Sequence, residues 1–447
     1  MIRDCVSLLC ALTLIAMTFG VLRFWQKRRS SPSAEVVRKA AHISSGVIAA
    51  AFPWLFHSVW PGLALCAIAL FAMIAMRLIP TLRGSLGRVT GSVERQTWGE
   101  LYFPIAVACV WVLSEQDPLL FVVPVLLLTF ADAAAAIVGV AFGQHRFRTS
   151  EGHKSVEGSL AFVAVSTACT IVALSALQPG MDIVKSTLVA LLLSCVLMIF
   201  EAIAWRGLDN LLLPVMAFVL LRLYLTLDVS HLAVRLAVLA LIVTLMIVIR
   251  KRRTLTGEGV LAAALFLYFA WAIGEWPWLV PPAMVVVLAP WMPRHPDVPS
   301  VSIHGVFPVV ALSAAGMIVL VSHVQMGVDL WSAYVATFAA SLSVVACIQL
   351  HARLDRALTV KVLMLSLVVG VVPMVVLGAV LAGMSLTSAL HLLVLALSSA
   401  AMACGVAFIP VLTRAASDGR LWLLRGTAVS LGAACAAGLD IIMTTPR

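Results

Sequence analysis

Asp132 opens a run, Asp132-Ala-Ala-Ala135-Ala-Ile-Val-Gly139-Val-Ala-Phe-Gly143, in which an acid and three small residues recur at intervals of three or four. On a helix these positions share one face, and that face carries almost no side chain. A bare strip of this kind lets a second backbone or a ligand approach closely. A carboxylate on it is expensive in lipid, about 2.5–3.5 kcal/mol on insertion scales, so it should face protein, water or a cation. Small residues at this spacing also make helix-packing stripes, but packing needs no carboxylate. After ten intervening residues comes Lys154-Ser155-Val156-Glu157-Gly158-Ser159. Lysine, hydroxyl and glycine at the start of a helix suit phosphate, through ammonium charge, backbone N–H groups and the helix dipole. The G-x-x-x-x-G-K spacing of a Walker A loop is absent.

Further polar residues lie on either side of this block. Arg38, Lys39 and His42 form an R-K-x-x-H set ahead of an apolar run, where a snorkelling basic flank is the plainer reading. Glu100 stands in Gly99-Glu100-Leu101-Tyr102-Phe103-Pro104, and Glu201, Asp209 and Asn210 bracket a turn in Glu201-x7-Asp209-Asn210-x3-Pro214. Singly, each of these reads as a cap or a helix-contact residue. Together, Glu100, Glu157, Glu201 and Asp209 set carboxylates beside a basic loop, with Asp132 deeper in the same bundle. Hard cations take oxygen ligands and bridge carboxylates to phosphates, so the set predicts a pocket for a magnesium nucleotide.

The elements that must hold these residues follow from composition. Of 447 residues, 62% are hydrophobic and 11% charged, with a mean hydropathy of +1.09. A soluble domain is about 45–50% apolar and about 25% charged, so a soluble enzyme is excluded. A β-barrel is excluded too, because barrel strands alternate apolar and polar residues, whereas Leu236 to Ile249 is apolar apart from Thr244. The expected fold is all-α: a polytopic transmembrane helical bundle of about 16 spans at roughly 20 apolar residues each. Segments 42–57, 60–79, 100–114, 257–274 and 276–292 count among the spans, and 4–25 reads as an uncleaved first span stopped by Gln26-Lys27-Arg28-Arg29. The nine cysteines make no C-x-x-C pair and read as small core residues rather than a disulfide framework or zinc site.

Lys and Arg accumulate in cytoplasmic loops. With the first span running outside to inside, most of the 30 basic residues fall in alternate loops and their flanks. These are Arg23, Lys27, Arg28, Arg29, Arg38 and Lys39; Arg77, Arg83, Arg88 and Arg95; Arg146, Arg148 and Lys154; Arg206; Arg250 to Arg253; Arg294; Arg353, Arg356 and Lys361; and Arg414, Arg420 and Arg425. The formal charge of +10 therefore reports membrane topology, not a nucleic-acid partner. The same orientation puts the candidate residues on the cytoplasmic face of a multi-pass membrane protein.

At this point the residues resemble a known family. The run D132-x-x-A135-x-x-x-G139-x-x-x-G143 followed by K154-S155-x-E157-G158 is similar to the CTP-binding motif of the dolichol kinase and phytol kinase family of integral-membrane polyprenol kinases. R38-K39-x-x-H42, E201 and D209-N210-x-x-x-P214 resemble other blocks of that family, over residues 36 to 226. Where dolichol kinases tend to have Lys-Lys-Thr, this chain has a single lysine at 154 and serine at 155, which keeps a phytol-kinase-like branch in view. The resemblance implies transfer of the γ-phosphoryl of CTP to the hydroxyl of a long-chain isoprenoid alcohol drawn from the membrane lipid. It implies catalytic roles for Asp132, Lys154 and Glu157, and nucleotide contacts from Arg38, Lys39, His42, Ala135, Gly139, Gly143, Ser155, Gly158 and Asn210. It also implies Mg2+ held by Asp132, Glu157, Glu201 and Asp209.

The expected organisation is a leading transmembrane segment at 1–35, a polyprenol-kinase-like catalytic region at 36–226 and an accessory transmembrane bundle at 227–447. Within the last, Arg253-Thr-Leu-Thr-Gly257-Glu258-Gly259 weakly resembles the opening of a phytyl-phosphate kinase type of membrane family, with no second Asp/Gly/Lys block after it. Two other functions fit parts of the pattern. A cytidylyltransferase making a CDP-lipid would also use CTP and magnesium, but would release pyrophosphate instead of CDP. A transporter would use Asp132 as a coupling site, yet it should show ionisable helices in two related halves, whereas here the polar residues gather at one face.

Overall fold

The computed structural model describes residues 2–26, 34–79, 98–149, 152–205, 207–250, 256–289, 305–353, 360–407 and 418–444. The loop cations Lys27, Arg28, Arg29, Arg83, Arg88, Arg95, Arg206, Lys251, Arg252, Arg253, Arg294, Arg356 and Arg414 lie outside the described residues. The chain divides into two compact units, Met1–Ala237 and Val238–Arg447. Both are built from long apolar helices, as hydrocarbon demands, because a helix satisfies its backbone hydrogen bonds within one segment.

The first unit contains α1 (Ile2–Gln26), α2 (Ala34–Ala50), the single turn α3 (Phe52–Leu55), α4 (Val59–Leu78) and α5 (Gly99–Leu113). Then come α6 (Pro118–Phe142), α7 (Val156–Leu177), α8 (Ile183–Ile203) and α9 (Asp209–Thr226). The unit boundary falls within α10 (Val229–Arg250). Local chemistry fixes the helix starts. Asp117 Oδ1 accepts from the N–H groups of Leu119 and Leu120, at 2.9 and 3.0 Å, with Pro118 in the first turn. Asp182 caps α8 through the N–H of Lys185.

One end of this bundle is closed by aromatic packing. Phe52 and Phe121 stack at 5.7 Å, and Trp111 meets Phe121 edge-on at 4.9 Å. Trp111 also donates through Nε1 to the carbonyl of Val59 at 2.9 Å. At the same end Asp4 of α1 accepts from the His57 N–H and the Ser58 hydroxyl, at 3.0 and 2.7 Å. With these ends fixed, the opposite ends of α2, α5, α6, α7, α8 and α9 bring the polar residues together.

The all-α bundle is as expected, with two refinements. Between α6 and α7 the chain forms an antiparallel hairpin, β1 (Arg146–Thr149) and β2 (Gly152–Ser155), with Arg146 opposite Ser155 and Thr149 opposite Gly152. The all-α reading holds, and this hairpin is a local feature of one loop. The span count falls as well: among the described residues 13 helices are long and apolar enough to cross a membrane. The difference from about 16 has a physical origin. The α2 helix has 17 residues and α5 has 15, short for a full crossing, and the expected segments 257–274 and 276–292 are two helical stretches that meet at the non-helical Glu275 and enter the count of 13 as one run.

That run is α11 (Gly257–Leu288) of the second unit. Glu275 sits at φ 65° and ψ −170°, so the helix bends there. Its start is capped by Thr256, whose hydroxyl accepts from the N–H of Gly259. The second unit continues with α12 (Val306–Met326), α13 (Trp331–Arg353), α14 (Val360–Leu381), α15 (Leu386–Ala407) and α16 (Asp418–Thr444). The α13 helix is its centre, nearly all buried. Gly370 lets α14 pack directly on Ser343, and Trp331 donates to the Gly378 carbonyl at 3.2 Å.

Candidate active site

The middle of α6 is not α-helical. Leu127–Ala131 forms a π-helical turn immediately before Asp132. A π turn shifts the backbone ladder and frees carbonyls for other partners. The Leu128 carbonyl accepts from His42 Nε2 at 2.9 Å, which fixes that nitrogen as the protonated one. The ring of His42 also meets Phe103 edge-on, with centroids 5.1 Å apart. On the same side of α2, Lys39 Nζ donates to Asp132 Oδ2 at 2.7 Å, and His42 Nε2 stands 3.9 Å from that oxygen. Lys39 is buried, and the Asp132 side chain is 14% exposed.

A second lysine–carboxylate pair closes the other side. Lys154, in β2, donates through Nζ to Glu201 Oε1 at 2.7 Å and also contacts the Glu201 backbone carbonyl. Glu201 lies in the last turn of α8, where carbonyls lack helical partners and a cation is favoured. Burial alone would push the Lys154 ammonium down. The Glu201 carboxylate outweighs it, with Asp209 and Asp132 adding to the effect, and holds the group above the usual lysine value of 10.5.

The start of α9 is tied to the start of α5. Asn210 Nδ2 donates to the Gly99 carbonyl at 2.9 Å. Gly207 has φ +79°, and a Cβ there would stand 2.5 Å from both Cα and N of Gly99. Only glycine suits this crossing, on conformation and on space. Beside it, Glu100 meets Arg77 at 4.0 Å.

The small-residue stripe of α6 seats the beginning of α7. A Cβ on Gly158 would lie 2.7 Å from the Ala135 carbonyl, and one on Gly139 would lie 3.1 Å from Ser155 Oγ. A Cβ on Gly143 would collide with the Gly139 carbonyl and stand 2.9 Å from the Cβ of Ser155. Ser155 caps α7, its hydroxyl accepting from the Gly158 N–H at 3.1 Å. The stripe is thus a packing surface between two backbones.

These elements enclose a cavity of about 610 Å³ within the first unit. Of the residues singled out in the sequence, Arg38, Lys39, His42, Glu100, Asp132, Ala135, Gly139, Lys154, Ser155, Gly158, Glu201, Asp209 and Asn210 line it. Gly143 and Glu157 are not among the lining residues. Glu157 turns outward to His145, accepting from its backbone N–H at 3.1 Å and meeting ring Nδ1 at 2.7 Å. The reason is local: Gly158 must face α6, which directs the neighbouring glutamate away from it.

Residues not expected from the sequence also line the cavity, including Arg146, His153, Gly99 and Gly207 and the apolar Phe19, Met73 and Phe103. The alternation Arg146-Phe147-Arg148-Thr149 ahead of Gly152 was a hairpin signal for the first two. The apolar residues carry no such mark, since they look like any others in their helices.

Among the described residues no three His, Cys, Asp or Glu side chains stand together as a ready metal cage. The oxygen donors of Asp132, Glu201 and Asp209 around one cavity still fit Mg2+, which is commonly held by one or two carboxylates together with substrate phosphates and water.

No family model matches the chain, and no solved structure matches it. The chain is 31% identical over 153 residues to the phytol kinase of Synechocystis sp., a match that takes in 33% of this chain and 62% of that relative. It therefore spans less than two thirds of the length of the curated relative it matches. The chain is thus similar to that phytol kinase over part of both lengths, and the motif residues are gathered around one cavity in an apolar helical bundle.

Proposed function

We propose that the chain is a membrane-embedded lipid kinase that transfers the γ-phosphoryl of CTP to the hydroxyl of a long-chain isoprenoid alcohol of the phytol or polyprenol type. The observation that carries this reading is the pair of lysine–carboxylate contacts, Lys39 with Asp132 and Lys154 with Glu201, lining one cavity inside apolar helices. At about 610 Å³ the cavity is within the usual range for small-molecule sites, about 300–1,000 Å³.

Phosphoryl transfer demands positioning and charge neutralisation more than covalent chemistry. In this reading Arg38, Lys39 and Lys154 hold the phosphates. Asp132 Oδ2 is engaged by Lys39, which leaves Oδ1 to accept from the substrate hydroxyl and take its proton. The alcohol oxygen bonds to the γ-phosphorus as the bond from that phosphorus to the β-phosphate oxygen breaks, and CDP leaves. Mg2+, when bound, would neutralise phosphate charge, held by Asp209 and Glu201 beside Asp132. Gly139 and Gly158 keep α6 and α7 close enough for both walls to reach one ligand. Glu157 clamps His145 and so holds the hairpin that carries Lys154. The alternation of basic loops supports a cytoplasmic opening, and residues 227–447 act as an accessory bundle.

Product analysis tests the proposal. Purified protein incubated with CTP, Mg2+ and a panel of phytol, geranylgeraniol, farnesol and undecaprenol should yield a lipid monophosphate and CDP. Release of pyrophosphate with a CDP-lipid would mark a cytidylyltransferase instead.

A further inference from the structure

The cavity lining is of two kinds. Lys154, Glu201 and Asp209 are charged or polar, whereas Phe19 of α1, Met73 of α4 and Phe103 of α5 are apolar. The apolar set adjoins the carboxylate: Phe103 packs on His42, and His42 stands 3.9 Å from Asp132. The helices behind it are loosely covered. Only 11% of the spanning window of α1 and 22% of that of α4 is buried, and Phe71, two residues before Met73, is 71% exposed.

Depth along the helices separates Phe19 and Met73 from the exposed lining residue Val140. Val140 lines the cavity and is 79% exposed, but it lies two residues before the end of α6, about 3 Å along the axis, next to the hairpin. Phe19 and Met73 lie seven and five residues before the ends of α1 and α4, about 10 and 7 Å in. An apolar tail is stable in the hydrocarbon and not among headgroups.

Resting on the kinase reading above, the geometry points to Phe19, Met73 and Phe103 as the seat of the isoprenyl chain, which leaves the cavity between α1 and α4 while its hydroxyl reaches Asp132. The first isoprene units then touch protein, and the remainder lies in lipid. Bulk at Met73 should decide which alcohols fit near the hydroxyl, and total chain length should matter little.

Photolabelling tests this without turnover. The full chain in lipid nanodiscs is irradiated with an isoprenoid alcohol carrying a diazirine near its hydroxyl end, and the labelled peptides are mapped. Label should fall in α1 and α4, and Met73→Trp should reduce it about tenfold, a normal penalty for a misfitting pocket. Phe71→Trp, which changes a lipid-facing neighbour, should leave it unchanged. Label concentrated in α7, α8 or residues 238–447, or label insensitive to Met73→Trp, would overturn the assignment. Binding of a labelled CTP analogue to Met73→Trp reports whether the variant is folded. Phosphate transfer to phytol by the unaltered chain is scored separately, so failure of the kinase reading is distinguishable from failure of the seat.

Discussion

Lys39 Nζ and Asp132 Oδ2 lie 2.7 Å apart although 93 positions separate them in the chain. The pair joins the first turns of α2 to the middle of α6, at the point where a π turn has already shifted the helix. Removing one partner of a buried pair leaves an uncompensated charge and costs about 3–5 kcal/mol. Asp132→Asn should therefore lower the unfolding temperature in detergent and abolish phosphoryl transfer. The double variant Lys39→Met with Asp132→Asn should recover much of the stability and none of the activity. Thermal unfolding and a transfer assay on the same preparations check both halves.

The second pair predicts a pH dependence. The folded-state value of Lys154 is raised above 10.5, so its contribution to stability is fully present below 10.5 and is lost as pH rises through the folded value. The difference in unfolding temperature between the unaltered chain and Glu201→Gln should stay constant through neutral and mildly alkaline pH. It should shrink only above 10.5. A difference that disappears near neutrality would contradict the pairing.

The glycines of the α6–α7 contact should differ in sensitivity. At Gly158 an added methyl meets backbone, the Ala135 carbonyl at 2.7 Å, whereas at Gly139 it meets the Ser155 hydroxyl at 3.1 Å. Overpacking of this kind typically costs about 1–3 kcal/mol. Gly158→Ala should fall near the upper end and Gly139→Ala near the lower, measured by thermal unfolding. Equal effects would argue against the backbone contact as the reason for glycine.

Much of this arrangement was legible because chemistry-bearing residues are rare in an apolar chain. An aspartate in a run of alanines, or a lysine before Ser-x-Glu-Gly, has few readings in lipid, and Asp132, Lys154, Glu201 and Asp209 all line one cavity. Glu157 shows the limit of that reasoning. Spacing placed it beside Lys154, but which way a first-turn side chain points depends on what its neighbour packs against, and Gly158 is committed to α6. The short α2 and α5 read as full spans because hydropathy registers apolar content, not where a helix starts. Gly207 needed a tertiary partner, Gly99, before its conformation had a meaning. The apolar lining of the cavity was hidden for the opposite reason: Phe19 and Met73 are indistinguishable in sequence from lipid-facing neighbours.

Under the kinase reading, the sparse carboxylate set gives an expected metal dependence. With no three acidic or imidazole groups clustered among the described residues, Mg2+ should bind weakly without nucleotide and tightly with it. Chelation with EDTA should stop transfer, and added Mg2+ should restore it. Isothermal titration of Mg2+ into the nucleotide-free protein should show little heat.

The most direct test follows a phosphorus atom. Purified protein is given CTP labelled at the γ-phosphate together with phytol and Mg2+, alongside Asp132→Asn. Label should appear in the lipid phosphate, with CDP as the other product and no labelled lipid from the variant. Unlabelled lipid from the unaltered chain, or full transfer by Asp132→Asn, would contradict the kinase reading.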